Sequence, residues 1–209
     1  LELKDPRAGN SSFHRYYISP SYKSAKPGEA EALDVMMKIV GEGATSRLYK
    51  KLVVEDKVAA SVSGNYSGHG LDSGQIAVVA IAADGVPLSK VESVTDEVLA
   101  DVVKNGVTPQ ELQRAKNSFL AEYIYQSDAQ EILARRYGWA LVTGRTIEDV
   151  ESWPDRIAKV SVDDIKKVAA EYLNIAHSVT GYMTPDKSEV AQTSGAQQPD
   201  AASANGSMR

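Results

Sequence analysis

Cysteine is absent from this chain of 209 residues. Its absence excludes disulfide bonds, a thiolate nucleophile and a thiolate metal ligand. It does not distinguish between redox compartments, because a chain without cysteine fits both a bacterial periplasm and a cytosol.

Long apolar runs and excess positive charge are also missing. No uninterrupted apolar stretch approaches the ~20 residues that span a bilayer, so we expect no membrane span. The chain has 23 Lys and Arg against 28 Asp and Glu, which gives a net charge of −5. Phosphate contacts need clustered cations. We therefore expect neither a nucleic acid nor an anionic membrane as a partner.

The first ten residues lack a basic region followed by an apolar stretch, so we expect no targeting segment. They open in a polar stretch without Met, as an excised piece of a longer chain would. The remaining composition, with 43% hydrophobic and 24% charged residues, is typical of a globular domain with one sizeable core.

Histidine is scarce, and its spacing does not suit a metal centre. His14, His69 and His177 are the only three, and no His-x-x-Glu-His or His-Glu-x-x-His motif occurs. A catalytic zinc needs three protein ligands and an open position for water. We interpret the three histidines as surface or strand residues bonded to water or backbone.

Other catalytic motifs are missing as well. No Gly-x-Ser-x-Gly occurs, and Ser63 and Ser67 lie in an alternating pattern that points such residues to solvent. The glycine-rich run at 41–46 resembles a phosphate loop, but it lies between two predicted helices, lacks Lys, and carries Glu42. A helix stop followed by a helix start explains it better.

Two charged groups remain open to interpretation. The acidic pairs at 148–149 and 163–164 fall in the first turns of predicted helices, where carboxylates cap the helix and favour its positive end. Arg135, Arg136 and Trp139 form a basic and aromatic group, with Tyr137 between them. That group suits a peptide carboxylate or a partner domain, but a buried aromatic face with solvated arginines is the simpler interpretation.

The hydrophobic pattern predicts an α+β domain, with helices stacked on a largely antiparallel sheet. The apolar run at 75–83 indicates a central strand covered on both faces or a shielded inner wall. We assign residues 1–185 to one domain and predict a disordered tail at 186–209, which is poor in large apolar residues. Strands are predicted at 13–19, 58–66, 75–83 and 178–183. Helices are predicted to begin near 29, 46, 91, 109, 130, 147 and 162. For the helix at 130 we predict a capping box that starts at Ser127.

Several motifs in order resemble the pitrilysin/insulinase family, which includes the mitochondrial processing peptidase. The resemblance covers about 13–185 and is to the domain that follows the zinc-bearing one. The motifs are PGEA at 27–30, GEGATSRLYKKLVVE at 41–55, ARRYGWAL at 134–141, and WPDRI at 153–157 with VSVDDI at 160–165.

The resemblance implies two such domains per half-molecule and two halves that enclose a chamber. Peptides would be held there as an added strand against a sheet edge and cut with zinc. In the family, zinc is held by His-x-x-Glu-His and a downstream Glu, which here would belong to an upstream domain. We therefore assign no catalytic, metal or cofactor residue to this chain.

The resemblance also identifies two positions that can be tested by residue. In halves that complete the active site, the helix after the Gly-rich turn carries an Arg, and a Tyr follows seven positions later; both stabilise the oxyanion. The matching residues here are Val53 and Ala60, and neither side chain can donate a hydrogen bond. A second subunit or half would supply the Arg and Tyr.

The first hypothesis is thus a non-catalytic chamber-wall and subunit-contact domain of a zinc-dependent metalloendopeptidase. Its partners would be the upstream zinc-bearing domain, the second half and peptide substrates. The alternative is a structural, proteolytically inactive family member that acts as an assembly subunit, like the core subunits of a respiratory complex. A third possibility from another class is an unrelated binding domain.

Overall fold

The computed structural model describes residues 1–186, which form a five-stranded sheet and a layer of helices. The predicted tail at 186–209 therefore lies, apart from Asp186, outside the described residues. The strands are β1 (Glu2–Asp5), β2 (Ser12–Pro20), β3 (Ala59–Ser67), β4 (Ser73–Ala82) and β5 (Ser178–Pro185).

The sheet has the order β1-β5-β2-β4-β3, and every neighbouring pair is antiparallel except β1 with β5. The strands predicted at 58–66 and 75–83 are β3 and β4, which pair as a hairpin. The α+β class with a largely antiparallel sheet is confirmed. Strand β1 was not predicted. It is short and pairs with the last strand of the described chain, so no local pattern indicates it.

The helices follow the predicted order. They are α1 (Glu29–Val40), α2 (Arg47–Tyr49) continued by a π-helical turn (Lys50–Glu55), α3 (Leu88–Asn105), α4 (Pro109–Gln126), α5 (Gln130–Val142), α6 (Ile147–Glu151), α7 (Trp153–Lys159), α8 (Val162–Tyr172) and a 3-10 turn (Ile175–His177).

Capping boxes start three of these helices. Thr108 with Glu111 begins α4, and the same arrangement begins α6 and α8, where the partners are Asp149 and Asp164. In each box the side chains satisfy two backbone donors that the helix itself cannot pair. The acidic residues at 149 and 164 are therefore structural caps, as the sequence indicated.

The start of α5 differs from the prediction. The break after α4 is present, but the predicted capping box is wrong, because the N-cap is Ala129 and no side chain caps it. The Ser127 hydroxyl instead donates to the Tyr123 carbonyl at 2.7 Å, back in the last turn of α4. Because α5 begins only at Gln130, Ser127 lies two residues before the N-cap and is out of position to cap the helix.

The core lies between the helices and one face of the sheet. Phe13 and Tyr17 of β2 and Ile76 and Val78 of β4 point into it and are at most 1% exposed. Helices α1, α3 and α8 pack on this face. Burying each large side chain contributes about 1.5–3 kcal/mol.

No helix of residues 1–186 packs on the opposite face of the sheet, which we call the open face. Residues of β4 on that side include exposed Gln75 and Ile81, the latter 37% exposed. Of the two predicted alternatives for this strand, coverage on both faces is therefore wrong for residues 1–186, and the shielded inner wall stays a prediction. The long apolar run of β4 arises because small and β-branched residues occupy both sides of the strand.

The Ser-Arg motif after the Gly-rich turn has a structural role. The Ser46 side chain caps α2 by accepting from the backbone N–H of Tyr49. The Arg47 guanidinium donates two hydrogen bonds of 2.8 Å to the Glu111 carboxylate and one of 3.0 Å to Asp101. This bidentate pair lowers the pKa of Glu111 to about 2 and ties α2 to α3 and α4.

The end of α1 touches the sheet through two glycines. The Gly64 N–H in β3 donates to the Gly41 carbonyl at 2.9 Å. A Cβ added to Gly41 would lie 2.4 Å from the Gly64 Cα, so no larger residue fits without moving backbone. The φ of Gly41 is −124°, which any residue can adopt. Glycine is therefore required here because the backbone of Gly64 lies too close for a side chain.

This contact predicts that Gly41→Ala is destabilising. We expect a loss of about 2 kcal/mol or more in the free energy of unfolding, because β3 or α1 must shift. Gly138→Ala in α5 is the matched control, because a Cβ there meets nothing within 4 Å. It should stabilise by about 0.5–1 kcal/mol through helix propensity. Denaturant unfolding measures both, and equal effects would contradict the account.

Candidate functional site

The three histidines are placed on separate parts of the fold. His14 lies on the open side of β2, where its Nε2 is 3.0 Å from the Ser12 hydroxyl. His69 lies in the β3–β4 turn and stacks on Tyr22, with 5.8 Å between ring centroids. His177 ends the 3-10 turn. Residues 1–186 contain no group of three or more His, Cys, Asp or Glu that could hold a metal ion.

Val53 and Ala60 lie on either side of the junction between the π-helical turn and β3. Val53 is half-buried and packs against the core. Ala60 is exposed at a bulge, since the register of β3 with β4 shifts between Ala59 and Ser61. Both positions are adjacent to the outer edge strand of the sheet. Their side chains offer neither charge nor hydrogen-bond donors there.

The open face of the sheet carries exposed apolar side chains from four of its strands. Cross-strand pairing places Tyr16 opposite Val179 and His14 opposite Val79 on this side. Along β3 the same face becomes polar. Exposed apolar residues on the open face are Leu3 (58%), Tyr16 (40%), Ile18 (67%), Ile81 (37%) and Val179 (58%), and the β3 margin carries Ser61, Ser63, Asn65 and Ser67.

Exposed apolar residues also occur at the end of α4 and, separately, at the end of α5. Ile124 and Tyr125 in the last turn of α4 are 70% and 83% exposed. Leu141 and Val142 at the end of α5 are 53% and 73% exposed. As for membranes, none of the helices in the described range combines the length and apolarity needed for a bilayer crossing.

A cavity of about 440 Å³ opens between α4, α5 and α7. Its aromatic wall is built from Tyr123 and Trp153, whose rings stack at 5.6 Å, with Phe119 edge-on to Trp153 at 5.7 Å. The guanidinium of Arg136 lies over Tyr123, 4.0 Å from the ring centroid.

The basic and aromatic group at 135–139 is therefore arranged differently from the favoured interpretation. That interpretation made the aromatic residues buried and the arginines solvated. Trp139 is 54% exposed at the cavity, and Arg136 is half-buried against an aromatic ring. The cation–π contact explains the difference, because a guanidinium gains more on the face of a ring than in water alone.

A buried polar cluster forms the floor of the cavity. The Trp153 indole N–H donates to the Tyr22 hydroxyl at 2.7 Å, and that hydroxyl donates to the Asp34 carboxylate. Arg145 lies over the Tyr22 ring at 4.4 Å. This cluster was not predicted from the sequence. Its one local signal is Asp34 itself, an ionisable residue on an otherwise apolar stretch of α1.

Burial of Asp34 raises the pKa of its carboxyl from 3.8 to about 7. The Tyr22 hydrogen bond and the Arg145 charge act in the opposite direction, and the carboxylates of Glu31 and Glu42 add to the increase. Desolvation is the largest of these effects, because a buried charge loses its hydration.

Comparison with known proteins gives a consistent picture. The family model described as "Peptidase M16 inactive domain" matches residues 6–119. The zinc protease PqqE of Helicobacter pylori is 25% identical over 177 residues, which cover 82% of this chain and 39% of that protein. The chain thus spans about two-fifths of the length of this relative.

Solved structures share the fold. A protease from Helicobacter pylori superposes with a TM-score of 0.82 at 20% identity, over 88% of this chain and 43% of the other. A structure described as an inactive peptidase domain, from Bordetella parapertussis, gives 0.77 at 21% identity, over 90% of this chain and 100% of the other. At these identities the likeness concerns the fold alone.

The buried Asp34 predicts a specific pH dependence. Between pH 3.8 and about 7 the folded state holds a proton that the unfolded state releases. The free energy of unfolding therefore falls as pH rises through that window. Asp34→Asn keeps an oxygen that accepts from Tyr22 and cannot ionise, so it should remove the fall and be more stable at pH 8 by on the order of 1–3 kcal/mol.

Urea unfolding at pH 4.5, 6 and 8 measures this effect. Asp128→Asn, at an exposed aspartate in the turn between α4 and α5, is the matched control and should keep the wild-type profile. If the free energy of unfolding changed with pH in the same way for wild type and Asp34→Asn, the pKa of Asp34 would not be raised on folding, which would contradict the prediction.

Proposed function

Because this chain belongs to the peptidase M16 inactive-domain family, we propose that it is a non-catalytic domain of a zinc-dependent metalloendopeptidase. It would form part of the wall of the chamber in which peptides are cut and would contact a second subunit or half. The resemblance to the pitrilysin/insulinase family is confirmed by the family match, which supports the first part of this proposal.

The open sheet face is the observation that carries the chamber-wall role. One face of the sheet is packed against helices, while the other presents exposed side chains such as Tyr16 and Ile18. An isolated globular domain gains nothing from exposing apolar side chains across a sheet face in water. A wall that faces unfolded peptide does, since such peptides expose apolar side chains in any order.

The edge strand β3 suits the same role. It lies at the outer end of the sheet order, where an added strand would pair with backbone groups other than the Gly64 N–H, which already donates to the Gly41 carbonyl. Its margin of serines and Asn65 offers hydroxyl and amide groups beside that edge. A strand bound there is recognised through its backbone, which permits peptides of varied sequence.

The described residues of this chain do not form a binding site for the zinc of the parent enzyme. The described residues bring no three suitable ligands together. Val53 and Ala60 supply neither of the two groups that stabilise the oxyanion in the family's active halves. We therefore propose that the upstream domain binds the zinc and that the second half supplies the Arg and Tyr.

The subunit contact is supported by exposed apolar residues at the end of α4 and at the end of α5. Ile124, Tyr125 and Val142 are 70–83% exposed. These residues are separate in sequence from the open sheet face. One chain can therefore contact a partner with its helices while its sheet faces the chamber.

The alternative of an inactive assembly subunit remains distinct from this proposal. Val53 and Ala60 are compatible with it, since a structural subunit needs no oxyanion groups. The protein sequence upstream of Leu1 separates the two. A His-x-x-Glu-His motif there supports the peptidase, and its absence supports the structural subunit.

The proposal predicts that the 209-residue chain alone binds no zinc stoichiometrically and cleaves no peptide. Metal analysis after dialysis against zinc, together with a quenched fluorescent peptide assay, measures both. The longer protein with its upstream domain is the control and should bind zinc and lose its cleavage activity with a chelator. Chelator-sensitive cleavage by the pure chain would refute the non-catalytic role.

A further inference from the structure

Two arginines face the cavity between α4, α5 and α7 without a carboxylate partner. The Arg136 guanidinium donates only to neutral groups, Gln126 Oε1 at 3.2 Å and Ser127 Oγ at 3.4 Å. Arg145 donates to the backbone carbonyl of Asp149 at 3.3 Å. Within the described chain, neither guanidinium lies within 4.0 Å of a carboxylate oxygen.

The other charged residues around the cavity are largely neutralised by neighbours. Arg135 pairs with Glu131 at 2.6 Å, and Glu122 pairs with Lys38 at 2.7 Å. Asp34 is hydrogen-bonded to Tyr22 on the floor, where burial favours its protonated form. Lys38 also pairs with Glu42 at 2.6 Å, so the local charges nearly balance, and Arg136 and Arg145 are the lining arginines with no carboxylate in contact within residues 1–186.

The two guanidiniums lie at opposite ends of one row of aromatic rings. Arg136 covers Tyr123, Tyr123 stacks on Trp153, and Trp153 bonds to Tyr22, which Arg145 covers. The row fixes both cations beside an apolar wall. Arg145 also feels the charges of Asp34 and Asp149 at longer range, but neither reaches contact distance.

We propose that this cavity binds a carboxylate that is attached to an aromatic or aliphatic group. Guanidinium forks bind carboxylates through two parallel hydrogen bonds. The aromatic wall and Ile132 would hold the apolar group. The volume of about 440 Å³ falls in the usual range of about 300–1,000 Å³ for small-ligand sites and suits one or two residues at the C-terminus of a peptide.

The same chemistry has two sources, the C-terminus of a peptide and a free organic acid. Inorganic phosphate is a poorer match, because it would leave the aromatic wall uncovered. The inference does not depend on the proposed function, since binding here requires neither zinc nor a second domain. It can therefore hold or fail independently of the chamber-wall role.

The two tryptophans of the chain make the test direct. The chain has two Trp residues, Trp139 and Trp153, and both line the cavity. Fluorescence titration of the 209-residue chain would use N-acetyl-phenylalanine and its C-terminal amide, which has nearly the same shape without the charge. We expect saturable binding of the acid and at least tenfold weaker binding of the amide.

Variants then assign the effect to the arginines. At least one of Arg136→Gln and Arg145→Gln should weaken binding of the acid about tenfold or more and remove its advantage over the amide. Arg114→Gln, at an exposed position of α4 outside the cavity, should change nothing. Thermal melts by circular dichroism check folding, which matters most for Arg145 because it packs on Tyr22.

Two further ligands identify the source of the carboxylate. Tighter binding of N-acetyl-Ala-Ala-Phe than of 3-phenylpropionate supports a peptide C-terminus, and equal binding supports a free acid. The proposal is overturned if acid and amide bind equally or not at all. It is also overturned if phosphate competes as well as the acid, or if binding survives both arginine substitutions.

Discussion

The packing of α1, α3 and α8 against a single face of the sheet is the contact on which the rest of this structure depends. It buries Phe13, Tyr17 and Ile76 almost completely, and it brings Gly41 against Gly64 at a distance that only glycine permits. Because the helices form one layer, the same packing leaves the other sheet face exposed. The core and the proposed chamber wall are therefore two sides of the same strands.

Ion pairs hold that layer in place at its margins. The nearly buried Arg15 on β2 binds Glu92 and Asp96 of α3, and Arg47 connects α2 with Glu111 at the start of α4. In both cases a guanidinium joins elements that are distant in sequence, with geometry that a lysine could not reproduce. Arg136 and Arg145 differ, because their guanidiniums rest on aromatic rings and face an open cavity. This contrast separates arginines that maintain the fold from those available to a ligand.

Local signals predicted much of the fold. Thr108 with Glu111, and Ser161 with Asp164, start helices through contacts within four residues, so the sequence alone reveals them. The floor of the cavity joins Tyr22 to Trp153 across 131 residues, and no local pattern indicates such a contact. Strand β1 was missed for the same reason. Val53 and Ala60 were identified only through the family resemblance, since a valine and an alanine carry no chemical signal themselves.

The chamber-wall role is tested most directly by photo-crosslinking. A peptide carrying a benzophenone group would be bound to the longer protein, with its zinc removed to prevent cleavage, and the crosslinks would be mapped by mass spectrometry. The account predicts crosslinks on the open face, at residues such as Tyr16, Ile18 and Ile81, and along β3. Crosslinks confined to the helical layer, or a bound peptide that never labels this sheet, would contradict it.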